Sequence, residues 1–253
     1  IIMKINNKKI YFASDNHLGA PDYNSSLERE KYFVQWLDFV KKDAKEIFLL
    51  GDLFDFWFEY KKVVPKGFVR VLGKIAEISD SGIPIHYFVG NHDLWMNDYF
   101  QKELRIKVYR NPKDFNIMNK TFYIGHGDGL GPHDIGYKIM KKVFTNSFAK
   151  FLYKLIHPDI GIGIGQYFSR KNKILSGEKD IKFLGDNKEW LAKYSRKKLQ
   201  EKHRDYFIFG HRHLPMQIEL NENSKYINLG DWINHYTYGV FDGNKFETKK
   251  WKI

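Results

Sequence analysis

The chain has no cysteine among its 253 residues. That excludes disulfides and thiolate metal ligands, and it fits a reducing compartment. No apolar stretch reaches the roughly 18 to 20 residues that a membrane span needs. The opening Ile1-Ile2-Met3-Lys4 has no long apolar region, so no signal peptide is expected there. Internal repeats and low-complexity linkers are absent as well. Acidic residues are few relative to basic ones, 30 against 42, leaving a net charge of +12. Such an excess implies an anionic partner: nucleic acid, an anionic membrane surface or a phosphorylated substrate. Charge alone does not choose among them. With 43% hydrophobic and 17% aromatic residues the chain is globular, and its length allows one large core with an elaboration.

What is present first shows as alternation. Lys9 to Ser14 reads as a strand, Leu27 to Lys42 as a helix with a Ser25/Glu28 capping box, and Glu46 to Leu50 as a second strand. A second amphipathic helix carries Phe68, Val71, Leu72, Ile75 and Ile78, and Pro84 to Val89 forms a third strand. Strand, helix, strand, helix, strand argues for an α/β fold with parallel pairing. Short strands follow at 107–109, 115–118 and 121–124. Strands resume at Tyr206 to Phe209 and end in what reads as an antiparallel meander over 217–220, 225–229, 238–241 and 246–251. Between them, 131–202 reads as a basic helical insertion into a core made of 1–130 and 203–253.

Five motifs lie along this frame: Asp15-Asn16-His17, Gly51-Asp52, Gly90-Asn91-His92-Asp93, Gly125-His126-Gly127-Asp128 and Gly210-His211-Arg212-His213. Asp15, Asp52, Asn91, His126 and His211 each fall just past a predicted strand end, where open α/β sheets collect their ligands. Hydrolysis of a phosphate ester needs a nucleophile and charge neutralisation. Two metals about 3.5–4 Å apart supply both. Asp52 is the natural bridging carboxylate. Asp15, His17 and His213 complete one metal, and Asn91, His126 and His211 the other. Carboxylate, amide oxygen and imidazole suit manganese, iron or zinc better than calcium, with manganese the first choice. His86, His133, His157, His203 and His235 stand outside the motifs and are read as structural.

In the insertion, Lys138 to Ile156 places apolar residues at helical spacing among five lysines. A membrane-surface helix, the wall of an acyl-chain groove and a plain core-packing helix all fit that pattern. Gly161, Gly163 and Gly165 alternate without a preceding strand, so they are not a dinucleotide fingerprint; a hinge or close helix packing is expected. Ser169, Arg170, Lys171 and Lys173 form a basic cluster, in which Arg170 and Lys171 are candidate substrate contacts.

The five motifs resemble those of the calcineurin-like metallophosphoesterase superfamily over nearly the whole chain. The resemblance implies a four-layer α/β/β/α sandwich with a helical lid insertion, and the metal ligands already assigned. It also implies that His92 contacts the scissile phosphate or protonates the leaving group, with Asp93 orienting it. Ser14-Asp15-Asn16-His17-Leu18, the aromatic run from Leu53 to Trp57, His126-Gly127-Asp128-Gly129-Leu130 with Asp134, and Leu229-Gly230-Asp231-Trp232 are similar to the UDP-2,3-diacylglucosamine hydrolase branch. That branch implies release of UMP and 2,3-diacylglucosamine 1-phosphate in lipid A biosynthesis. It further implies Asn91, His92 and Asp134 as substrate contacts, an anionic membrane surface as partner, and residence on the cytoplasmic face of the inner membrane. No nucleic acid and no obligate protein partner are expected. His92 departs from the best-known members of the branch, which carry arginine there, so another nucleotide-linked lipid remains an alternative. A nuclease or cyclic-nucleotide enzyme would also use the charge, and a metal-free scaffold would have lost ligands that this chain keeps. Phe56-Trp57 stand where serine/threonine phosphatases carry arginine.

Overall fold

The computed structural model describes residues 8–131, 135–180, 183, 185, 186 and 188–252, without the side chains of 135–137, 139, 140 and 170–180. Two mixed sheets form its centre. The first runs β11 (Phe246–Lys250), β10 (Thr237–Phe241), β1 (Lys9–Ala13), β2 (Ala44–Leu49), β3 (Ile85–Phe88) and β4 (Lys107–Tyr109). The second runs β5 (Lys113–Ile117), β6 (Lys120–Ile124), β7 (Tyr206–Phe209), β9 (Ser224–Asn228) and β8 (Met216–Asn221). β1 to β4 pair in parallel, and so do β6, β7 and β9.

Strand alternation sorts the side chains into layers. Ile10, Phe12, Phe48 and Leu50 point to the second sheet and pack on Phe122, Ile124, Ile208 and Ile227. Tyr11, Ala13, Ile47 and Leu49 point the other way. They meet Phe33, Trp36, Leu37 and Val40 of α1 (Tyr23–Val40) and Val71, Ile75 and Ile78 of α2 (Val69–Asp80). A four-residue helix, α3 (Tyr99–Lys102), adds Phe100 to the same side. On the outer face of the second sheet, Leu191 and Ala192 of α7 (Trp190–Glu201) cover Phe207, Phe209, Ile218 and Tyr226. The α/β fold therefore has helices outside two stacked sheets. α7 lies within the stretch expected to be insertion, yet it packs as an outer layer of the sandwich; its four basic residues hide a short apolar face.

Three further expectations change. Asp22, not Ser25, caps α1, its carboxylate accepting the Ser25 amide at 3.0 Å. The single helix expected over 138–156 is two, α4 (Ile135–Thr145) and α5 (Ser147–Lys154), because Asn146 caps the second through the Phe148 and Ala149 amides. The closing meander is two hairpins in different sheets: β8–β9 belongs to the second and β10–β11 to the first. The remaining helix is α6 (Pro158–Asp180), which lies in the stretch expected to be insertion. Among the described residues no helix is long and apolar enough to cross a membrane.

Candidate metal centre

All the parallel strands direct their carboxyl ends to one edge of the sandwich. Asp15 follows β1, Asp52 follows β2, Asn91 follows β3, His126 follows β6 and His211 follows β7. The turns are tight. Asp15, His17, Asp52, His211 and His213 all take positive φ, between 45° and 68°. Backbone of that kind is costly for non-glycine residues and gathers at functional sites. Gly51 is required between them, because a Cβ there would meet Gly90 N at 2.7 Å and His126 Nδ1 at 2.8 Å.

Two clusters form and share Asp52. In the first, Asp15 Oδ1 lies 3.4 Å from His213 Nε2 and 3.8 Å from His17 Nε2, and the two imidazole nitrogens are 3.2 Å apart. In the second, His126 Nε2 lies 3.2 Å from Asp52 Oδ2 and 3.1 Å from Asn91 Oδ1, and His211 joins with ligand atoms within 4.8 Å of those of Asp52 and His126. Asp52 Oδ2 also sits 3.7 Å from His17 Nε2, so one carboxylate oxygen faces both groups. The other oxygen accepts the His92 amide at 2.9 Å.

The surrounding partners orient these donors. His126 Nδ1 gives its hydrogen to Leu50 O at 2.6 Å, and His213 Nδ1 to Asp231 Oδ2 at 3.3 Å. Both imidazoles therefore turn an Nε2 lone pair inward, toward carboxylate and amide oxygens that can only accept. Asp15 Oδ2 is satisfied by Ser14 Oγ and the His211 amide, while Asp15 Oδ1 is buried without a hydrogen-bond partner. Converging acceptors of this kind call for cations, and the residues fit two divalent ions.

Charge balance agrees. Burial pushes the Asp15 carboxyl up. Burial acts the same way on Asp52, but the imidazoles of His126 and His92 outweigh it and hold Asp52 well below the usual carboxylate range. His126, despite burial, is raised to about 10 by Asp52, while burial and the His126 charge lower His211 to about 3.

His92 stands beside the first cluster, its ring 4.6 Å from that of His17. Asp93 does not meet it: the Asp93 carboxylate accepts Gly90 N at 2.6 Å and the Tyr87 hydroxyl, and burial with the Asp52 charge raises it to about 7. The partners of His92 Nδ1 are Asp55 O at 2.9 Å and Ser169 Oγ at 2.8 Å. Asp134 and the side chains of Arg170 and Lys171 lie outside the described residues. Asp55, Ser169 and Asp231 are site residues to which sequence reading gave no role. Asp231 carried a signal, since it follows β9, parallel to β7, as the ligands follow their strands.

The glycine alternation has a packing role. A Cβ on Gly161 would meet the Tyr60 hydroxyl and one on Gly165 the Phe56 ring, so α6 lies tight on the aromatic run after Asp52, while Gly163 faces open space. α4 and α5 dock through Phe144 and Tyr153, whose rings lie 5.2 and 4.5 Å from Trp95. Phe148, Phe151, Leu155, Ile160 and Phe168 remain more than half exposed.

Comparison with known proteins agrees with this geometry. The calcineurin-like phosphoesterase family model matches residues 8–215. A UDP-2,3-diacylglucosamine hydrolase of Porphyromonas gingivalis is 39% identical over 249 residues, covering 93% of this chain and 94% of that one. Proteins of the same name from Histophilus somni and a Shewanella species are each 25% identical, covering 89% and 87% of this chain and 92% and 88% of theirs. A family match over most of its length, a relative 39% identical over 93% of it, and the buried Asp/His clusters show that this chain is a hydrolase belonging to the calcineurin-like phosphoesterase family.

Proposed function

We propose that the chain hydrolyses the pyrophosphate bond of UDP-2,3-diacylglucosamine, releasing UMP and 2,3-diacylglucosamine 1-phosphate. Asp15, His17, Asp52 and His213 would hold one divalent ion, and Asp52, Asn91, His126 and His211 the other, with manganese preferred. When bound, two such ions neutralise phosphoryl charge and activate water. Water adds to the α-phosphorus, the bond to the bridging oxygen breaks, and that oxygen leaves with the sugar phosphate. His92 gives it a proton from Nε2, because Nδ1 is committed to Asp55 and Ser169.

The observation that carries the lipid part of this reading is the exposed apolar surface that α4 to α6 set beside the metal centre. Phe148, Phe151, Leu155, Ile160 and Phe168, with Lys150 and Lys154 among them, suit acyl chains and an anionic bilayer surface. The insertion then acts as a lid, and the protein works peripherally on the cytoplasmic face of the inner membrane. The imidazole at position 92, where the best-known branch has arginine, favours a second reading with another nucleotide-linked lipid.

The test is to supply purified protein and manganese with UDP-2,3-diacylglucosamine or with the deacylated UDP-sugar. Much faster UMP release from the acylated substrate supports the proposal. Equal rates remove the lipid argument, and hydrolysis of neither supports the second reading.

A further inference from the structure

Gly161, Gly165 and Ser169 recur every four residues and so share one face of α6. The glycines let that face close on Tyr60 and Phe56. The third member, Ser169, is then delivered to the metal centre, 114 residues away in sequence from Asp55. Its hydroxyl lies 2.7 Å from Asp55 O, 2.9 Å from Asp55 Oδ2 and 2.8 Å from His92 Nδ1.

The hydrogens can be assigned by elimination. Ser169 has one hydroxyl proton, and both Asp55 oxygens can only accept, so the proton goes to Asp55. Ser169 Oγ must then accept from His92 Nδ1–H, which also points at Asp55 O. The imidazole is thereby held in one orientation with hydrogen on Nδ1, and any proton it gives to substrate comes from Nε2.

We propose that Ser169 is a positioning residue for the hydrolytic step: carried on the insertion, it completes the proton-donating geometry of His92 only when α6 is seated on Phe56 and Tyr60. This rests on the reading of His92 as proton donor, not on the identity of the lipid. The insertion is then part of the catalytic apparatus as well as a cover.

The test uses aryl esters of UMP graded from p-nitrophenyl to phenyl, with the manganese-loaded full chain. A p-nitrophenolate leaves without a proton; a phenolate needs one. Ser169→Ala is expected to lower kcat on the phenyl ester about tenfold or more, a part of the roughly hundredfold to ten-thousandfold that a general acid contributes. KM should stay within about twofold and the p-nitrophenyl rate should be nearly unchanged, a leaving-group dependence that a merely structural role would not produce. Ser169→Thr, which keeps the hydroxyl, should restore the phenyl-ester rate. Equal loss on both esters, a change in KM alone, or no loss would overturn the proposal. Failure of the unaltered chain to cleave any ester would overturn the proton-donor reading itself.

Discussion

His213 Nδ1 lies 3.3 Å from Asp231 Oδ2, and the same carboxylate, through Oδ1, caps the turn by accepting the amides of Ile233, Asn234 and His235. One buried side chain thus locks a loop and fixes which nitrogen of His213 faces the metal centre. Asp231→Ala is expected to weaken metal binding or activity by about 10- to 100-fold, as loss of an outer-shell partner does. Metal titration of the variant checks this; unchanged affinity would show that His213 needs no such support.

The glycines of α6 make opposite predictions within one helix. Gly163 has nothing within 4 Å of where a Cβ would stand. Gly163→Ala should therefore stabilise the protein by roughly 0.5–1 kcal/mol, through the reduced freedom of the unfolded chain. At Gly165 the added carbon would enter the Phe56 ring, so Gly165→Ala should cost about 1–3 kcal/mol through overpacking. Thermal or denaturant unfolding of the two variants separates them by sign.

At the sheet edge away from the metal centre, just before β7, Asp205 accepts the Thr121 amide at 2.8 Å, the Thr121 hydroxyl at 2.7 Å and Lys120 Nζ at 2.9 Å. Burial pushes its carboxyl up, but these donors outweigh burial and hold it below the usual carboxylate range. A depressed carboxylate contributes stability above its unfolded pKa, about 3.9, and loses it as pH falls through the folded value. Asp205→Ala should thus cost roughly 1–3 kcal/mol at about pH 7, and the difference from the unaltered chain should vanish in acid. Urea unfolding across that range tests the prediction, and a gap that persists at the lowest pH would contradict it.

How much of this was legible depends on distance along the chain. Asp15, Asp52, Asn91, His126 and His211 announce themselves because strand, turn and ligand are contiguous in sequence. The hairpins β8–β9 and β10–β11 are legible for the same reason, but their division between two sheets is set by pairing with β7 and β1, which no local pattern records. Ser169 is the extreme case: its partners Asp55 and His92 lie on other elements, and only the docking of α6 brings it there. Some misses were local signals overlooked. Asp22 precedes the first turn of α1, and Asn146 interrupts the insertion helix, both ordinary capping residues. α7 was hidden by its lysines, since only Leu191, Ala192 and Ser195 are buried.

On the proposed function, Asp52 joins two metal sites into one hydrolytic centre. The most direct measurement is manganese stoichiometry of the purified chain and of Asp52→Ala, taken alongside phosphoester hydrolysis. Two ions are expected per unaltered chain, with activity lost on chelation and regained on adding metal, and with both metal content and hydrolysis collapsing in Asp52→Ala. Full activity in the variant, or an active unaltered chain saturating at a single ion, would contradict it.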